Sequence, residues 1–287
     1  MISSASNAQI KYLIKLQEKA AVRKADRVFV CEGRKMFEEV LFYDKKSIVK
    51  AYVTERFLEG VQNTADSAKE NGTEAMNALS MAQLKEIDYE IVTEAVMKEA
   101  AETVTPQGVL AIVRQPEYTL EQMLAGRMAD GTVSGRTRLL LLESLRDPGN
   151  LGTIIRTAEG AGMNGVILNA ESVDIFNPKV IRSTMGAIYR VPFLYVQDFY
   201  GLLKELKEQE IAVYAAHLAG SVEYDTVDYP AKLALMIGNE ANGLTEQAAE
   251  LSTSRIRIPM EGKVESLNAG VAAAILMYET KRQLRSR

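Results

Sequence analysis

Three stretches of this chain put small and polar residues in loops just beyond apolar runs, where open α/β folds do their chemistry. The first is Asp147-Pro148-Gly149-Asn150, continuing Leu151-Gly152-Thr153-Ile154-Ile155-Arg156. Its proline and glycine sit where a type II turn wants them, and Asn150 can cap the helix that follows. Arg156 then stands on a rigid element past a strand's C-terminal end, where parallel sheets bind ligands. A solvated arginine on a capped amphipathic helix is the plainer reading of the same residues. The second stretch is Gly238-Asn239-Glu240-Ala241-Asn242-Gly243. Glycine and asparagine permit positive φ and close approach of backbone to a ligand. The pattern is not G-x-G-x-x-G, so nicotinamide dinucleotides lose their main support. A tight loop before a helix starting near Thr245 accounts for it equally well. The third, Ile258-Pro259-Met260-Glu261-Gly262-Lys263-Val264-Glu265-Ser266-Leu267-Asn268, runs into an alanine-rich helix. Ser266 or Asn268 can cap that helix, and helix N-termini attract anions and hydroxyl oxygens.

The residue inventory narrows the chemistry further. The chain has one histidine, His217, and one cysteine, Cys31. No G-x-S-x-G elbow accompanies the histidine, which argues against a Ser-His-Asp hydrolase. No Cys/His cluster supports zinc. His217 is expected at the surface or behind a site.

The elements that must hold these loops follow from hydrophobic periodicity. Leu139–Leu142 reads as a buried strand and 151–161 as a helix with Ile154, Ile155, Ala158 and Ala161 as its buried stripe. Strands follow at 166–168, 191–196, 211–215, 233–237 and 256–258. Helices are expected from Asn177-Pro178, over 199–207, and over 268–284, the last packing through Val271, Ala272, Ile275 and Leu276. Uninterrupted apolar strands separated by helices imply a parallel sheet covered on both faces. Upstream, a helix over 7–18 capped by Asn7 aligns Lys11, Lys15 and Lys19 on one face. Strands at 28–31, 48–54 and 109–113, with helices at 33–43 and 63–70, describe a smaller α/β sandwich. Residues 115–137 join the halves, with Thr119 and Gln122 spaced for a capping box and a loop over 129–137. The expected division is 1–114, 115–137 and 138–287.

Composition is that of an ordinary globular protein, 47% apolar and 25% charged. The net charge of −4 hides an asymmetry. Residues 1–35 hold eight basic side chains, Lys11, Lys15, Arg23 and Arg34 among them, against three acidic ones. That leaves +5 in this segment and −9 elsewhere, a distribution that points to a polyanionic partner. The longest run without strongly polar residues, 269–278, is about half of the ~20 residues a membrane span needs. The N-terminus lacks a basic-then-apolar leader. A cytoplasmic protein without membrane contact is expected.

Taken together and in this order, Asn150–Arg156, Gly238–Leu244 and Ile258–Asn268 resemble the three motifs of the SpoU/TrmH-type RNA ribose methyltransferases of the SPOUT superfamily. The resemblance implies an α/β fold: a C-terminal parallel-sheet domain with a trefoil knot, plus an N-terminal α/β sandwich similar to RNA-binding ribosomal proteins. It implies S-adenosyl-L-methionine as cofactor, its adenosine surrounded by Gly238, Ile258 and Leu267, with Asn239, Gly243 and Met260 alongside. Arg156 matches the arginine held to be essential for catalysis, and Asn150, Glu240, Ser266 and Asn268 match polar positions that shape the site. The implied reaction is methyl transfer to a ribose 2′-hydroxyl, with no metal required. Residues 177–186 resemble the family's second-loop helix, where Lys179 and Arg182 could join Lys11, Lys15, Arg23 and Arg34 on RNA phosphates. The opening Ser3-Ser4-x-x-Asn7-x-x-Ile10-Lys11 with Glu32-Gly33 looks like the ribosomal-RNA branch, favouring 23S rRNA over tRNA. Relatives act as homodimers. A non-catalytic RNA-binding assembly factor is the competing reading from another class.

Overall fold

The computed structural model describes residues 1–70, 79–133 and 135–285, with the side chains of 64–70 excepted. Two compact units emerge, one formed by Met1–Pro116 with Phe176–Tyr189, the other by Glu117–Ile175 with Arg190–Arg287.

The first unit opens with α1 (Ala8–Glu18), which Asn7 caps by accepting from the Gln9 N–H, and α2 (Ala20–Asp26). Then come β1 (Val28–Glu32), α3 (Arg34–Asp44), β2 (Ile48–Val53), α4 (Glu55–Glu70), α5 (Met81–Leu84), β3 (Tyr89–Ile91), α6 (Glu94–Ala100) and β4 (Val109–Arg114). The strands form a mixed sheet in the order β1-β4-β2-β3, with β4 antiparallel to both neighbours. The three expected strands are all present, and α4 starts at Glu55, upstream of the expected 63. Three short elements, α5, β3 and α6, are too brief for periodicity to declare them. Ile10, Leu13 and Leu16 of α1 bury against Val30, Leu110 and Ile112, a core in which each fully buried aliphatic contributes about 1.5–3 kcal/mol.

The second unit begins with α7 (Leu120–Leu124), whose Thr119/Gln122 capping box forms as the spacing predicts. It continues through β5 (Thr137–Leu142), α8 (Pro148–Ala161) and β6 (Gly165–Asn169). The short helix α9 (Pro178–Thr184), capped by Asn177 and next in chain order, belongs to the first unit. After it come β7 (Phe193–Val196), α10 (Phe199–Glu208), β8 (Ala212–Ala216), β9 (Val222–Glu223), β10 (Lys232–Ile237), α11 (Glu246–Leu251), β11 (Ser254–Arg257) and α12 (Ala269–Arg285). Seven strands pair in the order β7-β6-β5-β10-β8-β11-β9, and every pairing is parallel. Leu139, Leu141, Met236, Val213 and Ile167 build one core face beneath α10.

Two local expectations need correction. Asp147, not Asn150, caps α8: its carboxylate accepts the Asn150 N–H at 2.7 Å, Pro148 opens the helix, and Asn150 lies inside the first turn. On α12 the buried residues are Ala269, Gly270, Ala273, Leu276, Met277, Thr280 and Leu284, so Leu276 packs as expected whereas Val271 is 49% exposed. Ala272 and Ile275 are only partly covered. The expected stripe is slightly out of phase, because α12 packs against α8 and the sheet at once.

Candidate active site

The three motif loops meet at the C-terminal ends of the second unit's strands through one run of side-chain hydrogen bonds. Asn268 Oδ1 accepts from the Gly270 and Val271 N–H groups, capping α12, while its Nδ2 donates to Asn150 Oδ1 at 2.8 Å. Asn150 Nδ2 in turn donates to Glu240 Oε1 at 3.0 Å. Glu240 closes the run by accepting the N–H groups of Asp147 at 3.0 Å and Arg146 at 3.1 Å. Residues 118 and 90 positions apart are thereby fixed to one another. Because Glu240 spends both oxygens on these donors, its geometry is that of a positioning residue rather than a proton acceptor.

Burial alone would raise the Glu240 pKa. The hydrogen bonds from Asn150, Asp147, Arg146 and its own backbone outweigh it, so the carboxyl is held below the ordinary glutamate range. A carboxyl depressed by folding stabilises the fold above its unfolded pKa, and that contribution fades as pH falls through the lower, folded value. Glu240→Gln is therefore expected to cost stability at neutral pH and progressively less in acid. Denaturant midpoints of both proteins across the acid range test this; a gap that stays constant with pH would contradict it.

Beside this run lies a cavity of about 350 Å³ lined by residues that follow β8, β10 and β11, the second and third motif loops among them, within the size range of small-molecule sites. Gly238, Asn239, Glu240 and Gly243 form one wall, Ile258 and Met260 another, and Ser266 and Leu267 a third. The glycine at 238 is a steric necessity: a Cβ there would lie 2.1 Å from the Gly243 carbonyl carbon and 2.2 Å from the Leu244 nitrogen. Gly243 sits at φ +69 and exchanges backbone hydrogen bonds with Asn239, which folds the loop back on itself. The Asn239 side chain serves the loop: Nδ2 donates to the Ser144 carbonyl, and Oδ1 accepts from Ala241 and Asn242. Walls that combine apolar side chains such as Ile258, Leu267 and Leu276 with a close-approaching backbone and the polar Asn239, Glu240, Arg257 and Ser266 suit a nucleoside bearing a polar tail.

His217 lines the cavity with Leu218, where sequence reasoning had put it at the surface or behind the site. Its Nδ1 accepts the Ala219 N–H at 3.2 Å, and its Nε2 faces Glu246 at 3.7 Å. The only signal for this loop was its position just past a strand. Glu143 escaped notice altogether: buried at the end of β5, it accepts from the N–H and hydroxyl of Thr245 and anchors the start of α11.

Arg156 stands apart from the cavity lining. It is exposed on α8, about 9 Å along the helix from Asn150 at 1.5 Å per residue. Its side chain makes no hydrogen bond or ion pair among the described residues. Gly160, one turn further, borders α12, its carbonyl accepting from Lys281 Nζ at 2.6 Å.

The cations expected on RNA divide into two groups. Lys11, Lys15 and Lys179 are exposed. Arg23 is a correction: it is 3% exposed, and its guanidinium donates to the Leu16 and Gln17 carbonyls at the end of α1, so no phosphate can reach it. Arg34 pairs with Glu38 at 2.8 Å and Arg182 with buried Glu32 at 3.7 Å. Helical spacing marks the i, i+4 pairing of Arg34 with Glu38, but neither the burial of Arg23 nor the pairing of Arg182, which depend on the carbonyls and carboxylate that fold against them.

Residues 137–278 match the SpoU rRNA methylase family, and residues 7–111 match the MRM3-like substrate binding domain. A 23S rRNA (guanosine(2553)-2′-O)-methyltransferase, RlmP of Bacillus subtilis, is 30% identical over 280 residues, 98% of each chain. The chain belongs to the SpoU rRNA methylase family. An rRNA methyltransferase of Sinorhizobium meliloti superposes with a TM-score of 0.77 at 28% identity, covering 99% of this chain and 97% of that one. Its AdoMet-bound form gives 0.75. Among the described residues no helix is long and apolar enough to cross a membrane, and no group of three or more His, Cys, Asp or Glu side chains is placed to hold a metal ion.

Proposed function

We propose that this member of the SpoU family transfers a methyl group from S-adenosyl-L-methionine to a ribose 2′-hydroxyl of 23S ribosomal RNA. The observation that carries the proposal is the convergence of the three motif loops, through Asn268, Asn150 and Glu240, beside a cavity lined by Gly238, Ile258 and Leu267. The 30%-identical relative whose name specifies 2′-O-methylation of 23S rRNA supports the substrate class. S-adenosyl-L-methionine supplies an electrophilic methyl on a sulfonium centre. Gly238, Ile258, Leu267 and Met260 hold the donor, Gly243 and Asn239 shape the loop against it, and Asn150, Glu240 and Asn268 fix the loops' spacing. Ser266, exposed at the cavity mouth, faces the side open to RNA.

Arg156 supplies charge to the reacting oxygen in this reading. A guanidinium loses its proton only above about pH 12, so stabilising the developing alkoxide is the role its chemistry favours over that of general base. Its exposed position on α8, a helix that packs against α12, together with the exposed Val271 and Tyr278 of α12, supports a homodimer in which these helices meet a second copy. The trefoil knot implied by the family resemblance belongs to the same proposal, as does the division into RNA-binding and catalytic domains. An rRNA substrate would place the enzyme in the cytoplasm. The test is labelled methyl transfer onto ribosomal RNA from a deletion strain, followed by mapping of 2′-O-methyl sites. Transfer to tRNA alone would reassign the substrate, and donor binding without transfer to any RNA would favour the assembly-factor reading.

Lys11 and Lys15 of α1, together with Lys19, would grip phosphates without reading sequence. Replacing all three by alanine is expected to weaken RNA binding and to flatten the plot of log K against log salt. The slope should fall by up to about 0.9 for each duplex phosphate that is no longer neutralised. An unchanged slope would return the stripe to the solvated face of a helix.

A further inference from the structure

One end of the N-terminal sheet gathers features that neither the donor cavity nor the lysine stripe uses. Strand β4 ends at Arg114 and runs antiparallel to β1 and β2, so its last residues lie beside the start of each: Arg114 is opposite Val28, and Val113 opposite Ile48. Helix α3 delivers its own end to the same place, since only Lys45–Ser47 separates Asp44 from β2. Along α3 the buried residues are Met36, Phe37, Val40 and Leu41. The next two are aromatic and turn to solvent. Phe42 is 58% and Tyr43 47% exposed, with ring centroids 4.8 Å apart edge to face. The β2–β4 register slips between Ile48 and Lys50, and Val49 at the slip also points outward, 39% exposed. Arg114 Nη1 donates to the Lys46 carbonyl at 3.2 Å, which brings the Arg114 guanidinium to the Lys46 main chain, and both residues are exposed. Neither makes an ion pair among the described residues. Of the acids at this end, Glu86 is engaged by Lys45, and Asp44 remains exposed.

Two largely exposed aromatic rings thus share one end of the sheet with Lys46 and Arg114, two exposed cations that form no ion pair among the described residues. This is how single-stranded nucleic acid is held: rings stack on bases, and cations take the neighbouring phosphates. An A-form duplex offers no open base face, so the occupant must be a loop, bulge or end. The bare charge favours RNA over an apolar protein partner. We propose that Phe42 and Tyr43, flanked by Lys46 and Arg114, form a stacking platform for an unpaired nucleobase of the RNA substrate, distinct from the nucleotide that is methylated. This rests on the RNA reading above.

The test uses the full chain and a short adenosine-rich oligoribonucleotide carrying one 2-aminopurine. Binding is expected to quench the 2-aminopurine, and a fully paired duplex of the same sequence should not compete. Phe42→Ala should weaken binding about five- to hundredfold and remove the quench while leaving the salt slope unchanged. Phe42→Trp should restore both. Arg114→Ala should leave the quench and lower the slope by about 0.7, the value of one single-strand phosphate. S-adenosyl-L-methionine affinity and melting temperature should stay at wild-type values in all three variants. Unchanged affinity and quenching in Phe42→Ala overturns the platform, as does a shift in oligomeric state with RNA affinity intact, which would make the pair a protein interface. Donor binding by a wild-type chain that holds no RNA at all overturns the underlying RNA reading as well.

Discussion

Arg156→Ala is expected to abolish methyl transfer, by about 10²–10³-fold or more, while S-adenosyl-L-methionine binds as before. The two halves of that expectation have separate origins. Donor affinity is spared because Arg156 lies on the exposed face of α8, outside the cavity lining. Activity is lost because the hydroxyl oxygen acquires negative charge as its proton leaves, and the Arg156 cation, exposed in the single chain and covered once RNA and the second copy of the proposed homodimer close over it, then lowers the free energy of that charge. Arg156→Lys should also be impaired, since a compact ammonium cannot reproduce the planar donor fork. Isothermal titration with the donor, set beside single-turnover methyl transfer, separates the effects. A variant that loses donor binding along with activity would mean that Arg156 belongs to the cavity, and the assignment would fall.

Gly238→Ala is expected to do the reverse and destroy the donor site itself. The added methyl would sit 2.1–2.3 Å from backbone atoms of Gly243 and Leu244, which cannot swing aside as a side chain end can. Relieving that overlap means opening the hairpin that Asn239 and Gly243 close, and with it the wall facing Ile258 and Leu267. Overpacking of this kind costs about 1–3 kcal/mol in an ordinary core, and more where the neighbour is main chain. Donor affinity should fall by at least about tenfold, equivalent to about 1.4 kcal/mol, with a lower melting temperature. Gly262→Ala is the matched control. It lies in the third motif loop, yet a Cβ there meets nothing within 4 Å, so affinity and stability should hold. Equal behaviour of the two variants would show that the Gly238 loop is not the donor's wall.

Much of the architecture was legible along the chain. Leu139–Leu142 and Leu233–Ile237 are uninterrupted apolar runs because both faces of their sheet are covered, and both are central strands. Caps at Asn7, Thr119 and Asn177 form where the local spacing places them, since a cap is decided within three or four residues. The cap of α8 was misread because Asp147 and Asn150 compete for one role. The winner leaves the other free to bridge loops 90 and 118 residues away, a choice that no local window contains. Arg23 and Lys15 look alike as basic residues on helices. Only the fold reveals that one turns inward onto the Leu16 and Gln17 carbonyls while the other stays in water.

The linear chain settled residue types, their periodicity and the three motifs, because strand burial, helix phase and capping are short-range properties. Tertiary structure alone decided that Glu240 is a clamp with its oxygens occupied, that His217 borders the cavity, and that Phe42 and Tyr43 face solvent beside Lys46 and Arg114. Each of these depends on partners brought together from distant positions, and hydrogen-bond saturation and exposure are set by what surrounds a group, not by its neighbours in sequence.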